Sequence, residues 1–94
     1  DLSSDESTAQ KARIRLAQYF IQSAQYQEAL DLLCSVDPGQ FASHYEELKG
    51  DAYRAMNRYS EAKKAYEASL DLLGFNSGYR TILTLKLNDT RVAE

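Results

Sequence analysis

Ninety-four residues, 44% of them hydrophobic and 27% charged, suit one small globular domain and exclude a disordered chain. A net charge of −3 and a pI near 5.1 leave no electrostatic footprint for nucleic acid. No apolar run approaches the ~20 residues a membrane span needs, and no signal-peptide pattern is present.

The chain opens on Asp1 without an initiator Met and reads as a piece of something longer. Residues 1–7 are polar and hold two overlapping capping patterns, Ser3 with Glu6 and Ser7 with Gln10. A first helix is therefore expected from Asp5 or Thr8 to Ser23. Its inward stripe would be Ala9, Ala12, Leu16, Tyr19 and Phe20, with Ile14 and Ile21 off to one side. After a break at Ala24-Gln25, a second helix is expected over 26–35, burying Ala29, Leu30, Leu32 and Leu33. The single cysteine, Cys34, falls in this apolar run and reads most simply as a buried small hydrophobe. Alone it forms no internal disulfide and says nothing of redox compartment.

Pro38 cannot continue the second helix but suits the first turn of a third, expected over 39–56. That helix carries Phe41, Tyr45, Leu48, Ala52, Tyr53 and Met56 at helical spacing. Asn57-Arg58 turns the chain into a fourth helix over 59–73, with Ala62, Ala65, Tyr66, Ser69, Leu70 and Leu73 along one side and Gly74 as its left-handed cap. Asn76 or Ser77 can cap a fifth helix ending near Asn88, and residues 89–94 are expected to fray.

The chain also repeats itself. Gln25-Tyr26-Gln27-Glu28-Ala29 returns 33 residues later as Arg58-Tyr59-Ser60-Glu61-Ala62. Ala17 and Gly50, Phe20 and Tyr53, and Leu33 and Tyr66 share the same offset. Such a period marks helix–turn–helix units that stack on their copies. Ala17 and Gly50 are expected where the helices of each hairpin approach most closely, with Ala29 and Ala62 opposite them. One all-α domain over 1–94 follows: repeat one at about 8–37, repeat two at about 39–74 and a terminal helix at about 77–88, in a right-handed stack.

The series Gly50-Asp51-Ala52-Tyr53, Asn57-Arg58-Tyr59-Ser60-Glu61-Ala62, Ala65-Tyr66 and Ser69-Leu70 resembles the tetratricopeptide repeat. The first unit matches more loosely, through Leu16-Ala17, Phe20, Tyr26, Ala29 and Leu33. The period departs from the usual 34, and Gly74 stands near where a repeat-ending Pro is common. A closer resemblance rests on Ala12-Arg13-Ile14-Arg15-Leu16-Ala17, on Tyr26 through Leu33, on Phe41-Ala42, on Tyr45 through Asp51 and on Leu85-Lys86-Leu87-Asn88-Asp89. These segments look like the C-terminal half of the YfgM-like family, bacterial inner-membrane proteins with a tetratricopeptide-like periplasmic domain. The resemblance implies a single-span anchor upstream of Asp1, a periplasmic location and an ancillary role at the Sec translocon. It also implies partners among periplasmic chaperones and proteins emerging from the channel.

Catalysis has little to stand on. His44 is the only histidine, and with Glu47 and Asp51 it is far from a zinc-ligand signature, so no catalytic residue, metal or cofactor is assigned and no enzyme is expected. His44, Glu47, Asp51 and Arg54 share one helix face, which in tetratricopeptide arrays lines the concave groove; read blandly, it is a solvated face. The matching face of repeat one is Lys11, Ile14, Gln18 and Ile21. Two acids in such a groove argue against capture of a C-terminal carboxylate and favour basic or apolar segments. Tyr19, Phe20, Tyr26, Tyr53, Tyr59 and Tyr66 read as core rather than as a peptide-binding ladder. Gly74 to Gly78 is a connector and not a phosphate loop.

On the fifth helix Tyr79, Ile82, Leu83, Leu85 and Leu87 spread over about 200° of the wheel, twice what a capping helix needs. The excess points to cover by a second copy, by exchange of helices between copies, or by upstream repeats. Lys11, Gln18, His44, Glu47, Asp51, Arg54, Ile82 and Leu85 are thus the candidate partner-binding residues of a protein–protein interaction module. The alternatives are a cytosolic tetratricopeptide scaffold or a structural spacer in a larger complex.

Overall fold

In the computed structural model, which describes residues 2–75 and 77–92, five α-helices follow one another. They are α1 (Leu2–Gln22), α2 (Tyr26–Cys34), α3 (Ala42–Ala55), α4 (Tyr59–Leu73) and α5 (Arg80–Val92), with a 3-10 turn at Gly39–Phe41 leading into α3. No strand occurs among the described residues, so the all-α, helical-hairpin expectation is met. α1 pairs with α2 and α3 with α4; α3 also touches α1 and α2, and α5 folds back on α4.

The two hairpin turns are copies of each other. Ala24 and Asn57, 33 residues apart, both adopt positive φ, 62° and 64°. In the first turn the Gln25 N–H donates to the Phe20 carbonyl (2.7 Å) and the Ala24 N–H to that of Ile21 (3.1 Å). In the second, Arg58 donates to Tyr53 (2.8 Å) and Asn57 to Arg54 (3.0 Å). Both are Schellman motifs, which satisfy the last carbonyls of a helix and reverse the chain within two residues.

Packing divides into two apolar clusters. Ile14, Ala17, Leu33, Tyr45 and Leu48 join the two hairpins, with Ile21, Leu32, Val36 and Phe41 around them. Ala62, Tyr66 and Leu83 join α4 to α5, with Tyr53, Leu70, Leu73 and Leu87 around them. Ala17 is fully buried and Gly50 buried, as the repeat requires. The neighbour that forbids a side chain at Gly50 is the Tyr66 ring: a Cβ there would lie 2.6 Å from Tyr66 Cε1.

Several expectations are corrected. α1 begins at Leu2, so both capping patterns lie inside the helix rather than before it. Its inward stripe is Gln10, Ile14 and Ala17, while Ala12, Leu16 and Tyr19 face out, Tyr19 at 59% exposure. Two apolar stripes run along α1, and contact with Tyr45 and Leu48 of α3 selects the one carrying Ile14. Of the six aromatics read as core only Tyr66 is fully buried; the other fully buried aromatic is Tyr45. Cys34 is exposed, because α2 turns Ala29, Leu30 and Leu33 inward and the next residue swings about 100° away.

At the end of α4, Gly74 has φ 88° and ψ 159°, a region open essentially to glycine alone and distinct from the left-handed cap expected there. The Arg80 guanidinium, at the start of α5, donates to the carbonyls of Leu70 (3.0 Å) and Gly74 (3.1 Å) and closes the α4 terminus from outside. Ser77 does shape the start of α5, its Oγ accepting from the Tyr79 N–H (3.2 Å); Asn76 lies outside the described residues. α5 runs on to Val92, past the end expected near Asn88, with Thr90 buried.

Candidate functional site

The polar stripe of α3 faces α5. Glu47, only 4% exposed, accepts two short hydrogen bonds, from the Tyr79 hydroxyl and from Lys86 Nζ, both 2.6 Å. Lys86 Nζ also donates to Asp51 at 3.1 Å, and Asp51 accepts a third bond from the Tyr66 hydroxyl at 2.6 Å. One turn further on, Arg54 reaches Asp89 of α5 at 3.4 Å. All five charged groups in this array sit within hydrogen-bond reach of an opposite charge from the other helix, with Glu47 and Asp51 sharing Lys86.

Burial sets the protonation states. It raises the pKa of the Tyr66 phenol far above the ordinary tyrosine range, and the hydrogen bond and charge of Asp51 push it the same way. Tyr79 is raised likewise, by burial and then by Glu47. For Lys86 burial opposes the charge, but the hydrogen bond to Glu47 and the negative charges of Asp51 and Glu47 outweigh it, and its pKa is raised. At neutral pH the cluster therefore holds an ammonium and two neutral phenols, all three donating to Glu47 and Asp51.

Beside this cluster runs a groove of about 500 Å³. Gln18 and Ile21 of α1, Leu48, Asp51 and Arg54 of α3, and Lys86 of α5 line it, so it crosses both hairpins and the terminal helix. A second cavity, about 360 Å³, lies at the other end of α3 between Phe41, His44 and Glu47, Leu73 of α4 and Tyr79. Of the residues singled out in the sequence, Gln18, Asp51 and Arg54 share the groove, and His44 and Glu47 share the second cavity. Ile82 and Leu85 are 46% and 60% exposed on α5, and Lys11 is exposed on α1 but lines neither space. Ile14, placed by sequence on the groove face of repeat one, is instead in the core. Among the described residues no group of three or more His, Cys, Asp or Glu is placed to hold a metal ion.

Lys86 and Tyr79 are the residues that sequence reasoning left out. They lie 39 and 32 residues from Glu47, and no local spacing relates them. The only signal was their position four residues before and three after Leu83, which puts them beside it once the fifth helix is laid on α4.

Paired helices with aligned turns, a small residue at each close approach and a groove shared by alternate helices are the marks of a stacked helical repeat. A family model described as a tetratricopeptide repeat-like domain matches residues 1–92. The chain belongs to that family. No curated protein and no solved structure matched it in the same comparisons. Membership in the tetratricopeptide repeat-like family points to a protein–protein interaction module, and among the described residues no helix is long and apolar enough to cross a membrane.

Proposed function

We propose that this tetratricopeptide repeat-like domain docks an extended or helical segment of a protein partner in the groove formed by α1, α3 and α5. The observation that carries the reading is the pairing of every charged side chain of the α3 stripe and α5 along the groove floor. Lys86 is shared by both carboxylates of α3, and Arg54 is engaged by Asp89, so these five groups keep a net charge of −1 with no cation free. A groove of that kind selects poorly for a terminal carboxylate and keeps the preference for basic or apolar segments drawn from sequence. Apolar or amphipathic segments fit it best, seated on Ile21 and Leu48 with Gln18 offering hydrogen bonds.

The biological setting we propose is the periplasmic side of the bacterial inner membrane, in an ancillary subunit of the Sec translocon that engages periplasmic chaperones or emerging proteins. The resemblance to the YfgM-like family supports it, and the two most specific segments of that resemblance, Leu48 to Asp51 and Leu85 to Asp89, adjoin one another through the Asp51–Lys86 ion pair. The reading involves no catalysis and no cofactor. A photo-crosslinking residue at Gln18 and another at Lys64, on exposed α4, test it in cells carrying the full-length protein. Adducts to translocon subunits, chaperones or nascent chains from position 18 and not from 64 are expected. Adducts confined to position 64, or to cytosolic proteins, would reverse it.

A further inference from the structure

The cavity of about 360 Å³ at the start of α3 contains one polar group that is buried and only half used. Phe41, Leu73 and Tyr79 give it apolar walls. Of its polar lining residues, Gln40 and His44 are the more exposed, and the Ser43 hydroxyl already donates to the Ser69 carbonyl of α4 at 2.9 Å. Glu47 differs from these. Its side chain is 5% exposed, and both of its short hydrogen bonds, from Tyr79 and from Lys86, land on Oε2. Among the described residues Oε1 accepts no hydrogen bond, yet it is not one of the side-chain oxygens sealed from solvent without a partner. Glu47 lines this cavity and not the groove, so its open oxygen faces the cavity. The charge is incomplete as well: Glu47 and Asp51 share the single Lys86, which leaves −1 beside the cavity.

We infer that this cavity receives the lysine side chain of a protein partner, with its ammonium on Glu47 Oε1 and its methylene stem against Phe41, Leu73 and Tyr79. The inference rests on the reading of the domain as a protein-docking module, but not on the groove. A buried carboxylate oxygen without a donor favours any donor, and a positive one most, because the cluster is one cation short. One open oxygen suits an ammonium, which acts as a point charge. A guanidinium fork pairs best with two oxygens, and Oε2 is already taken. Apolar walls suit a stem that leaves water while its charged head is paired. An apolar side chain would leave the oxygen unpaired, and an acidic one would meet the charge of Glu47.

NMR titration of the isotope-labelled chain with a capped Ala-Lys-Ala peptide tests this directly. Saturable shifts are expected at the amides of Phe41, His44, Leu73 and Tyr79, with a dissociation constant on the order of 5 mM. The same peptide with norleucine in place of lysine keeps the stem and loses the charge, and should bind at least about tenfold more weakly. Glu47→Gln keeps an amide oxygen for Tyr79 and Lys86 and should level the two peptides; the comparison on the unaltered chain stands without that variant. Equal binding of the lysine and norleucine peptides overturns the inference. So do shifts centred on Gln18 and Arg54, which would put the lysine in the groove. So does saturation of the cavity by benzylamine when the peptide leaves it empty, which would assign it to small organic amines. Crosslinks from position 64 alone would overturn the groove and leave these outcomes unaffected.

Discussion

Helix α3 is gripped from two sides by opposite chemistry. Toward the first hairpin, Tyr45 and Leu48 pack on Ile14, Ala17 and Leu33, and nothing polar is needed to hold them. Toward α4 and α5, Glu47 and Asp51 meet Tyr66, Tyr79 and Lys86 in a chain of hydrogen bonds. Apolar packing is tolerant of small slides, since one methyl group substitutes for another. A lysine that must reach two carboxylates at once is not, and it fixes how far along α3 the terminal helix sits. The difference suggests that the first interface supplies stability and the second supplies register.

Removing the cation should separate these roles with the largest effect. Lys86→Met leaves Glu47 buried without its counter-charge, and uncompensated buried charges cost about 3 kcal/mol or more. Unfolding by urea should show that loss, and amide exchange should speed up across 80–90 before it does in α1 and α2. Adding Glu47→Leu to Lys86→Met should recover most of the loss, because two apolar groups then meet where an unpaired charge stood. The two changes would instead add if the ion pair were incidental. Alkali attacks the same contacts. The raised pKa values of Tyr66, Tyr79 and Lys86 mean that the folded chain holds protons the unfolded chain gives up above pH 10. Stability contributed by the cluster is therefore complete below that pH and falls as pH rises through it. The fall should be shallower in Tyr66→Phe, measured by urea titrations between neutral pH and about pH 11.

The two hairpins invite a second comparison, since they solve one packing problem with different pairs. Repeat one sets Ala17 and Leu33 at the positions where repeat two sets Gly50 and Tyr66. The larger tyrosine leaves no space for a methyl group: a Cβ on Gly50 would come within 2.9 Å of three of its ring atoms. Gly50→Ala should thus cost about 2 kcal/mol, even though alanine is the better helix former by about 1 kcal/mol. Tyr66→Leu with Gly50→Ala transplants the solution of repeat one. Thermal melts should show the double variant more stable, by about 1 kcal/mol or more, than the sum of the single changes allows. Strict additivity would mean that the backbone, not the ring, is what Gly50 serves.

These comparisons also show what could be read along the chain and what could not. The bounds of α2 and α4 were legible because the turns at Ala24-Gln25 and Asn57-Arg58 precede a short apolar period, and Gly74 stops α4 where the pattern ends. The small residues Ala17 and Gly50 were legible because the 33-residue offset put them in phase. Which face of α1 points inward was not, because Ala12, Leu16 and Tyr19 keep helical spacing as well as Ile14 and Ala17 do; only the neighbour decides. The groove residues of α3 were found by their common face, yet their burial was missed. A solvated stripe and a stripe paired with a distant lysine have the same local pattern, and Lys86 declares itself only when α5 folds back.

The smallest expected effect is the sharpest test of the contrast between the two sides of α3. Tyr45 and Tyr66 are both fully buried, one in each interface. The Tyr66 hydroxyl donates to Asp51, whereas the Tyr45 hydroxyl is buried with no hydrogen-bond partner among the described residues. A buried hydroxyl without a partner retains its desolvation cost and gains nothing in return. Tyr45→Phe should therefore leave stability unchanged or raise it by up to about 1 kcal/mol, while Tyr66→Phe lowers it by about 1–2 kcal/mol through loss of a charge-assisted bond. Paired urea titrations resolve a difference of that size. Equal losses at both sites would mean that the side of α3 toward the first hairpin is not purely apolar, and that Tyr45 anchors it through a polar contact of its own.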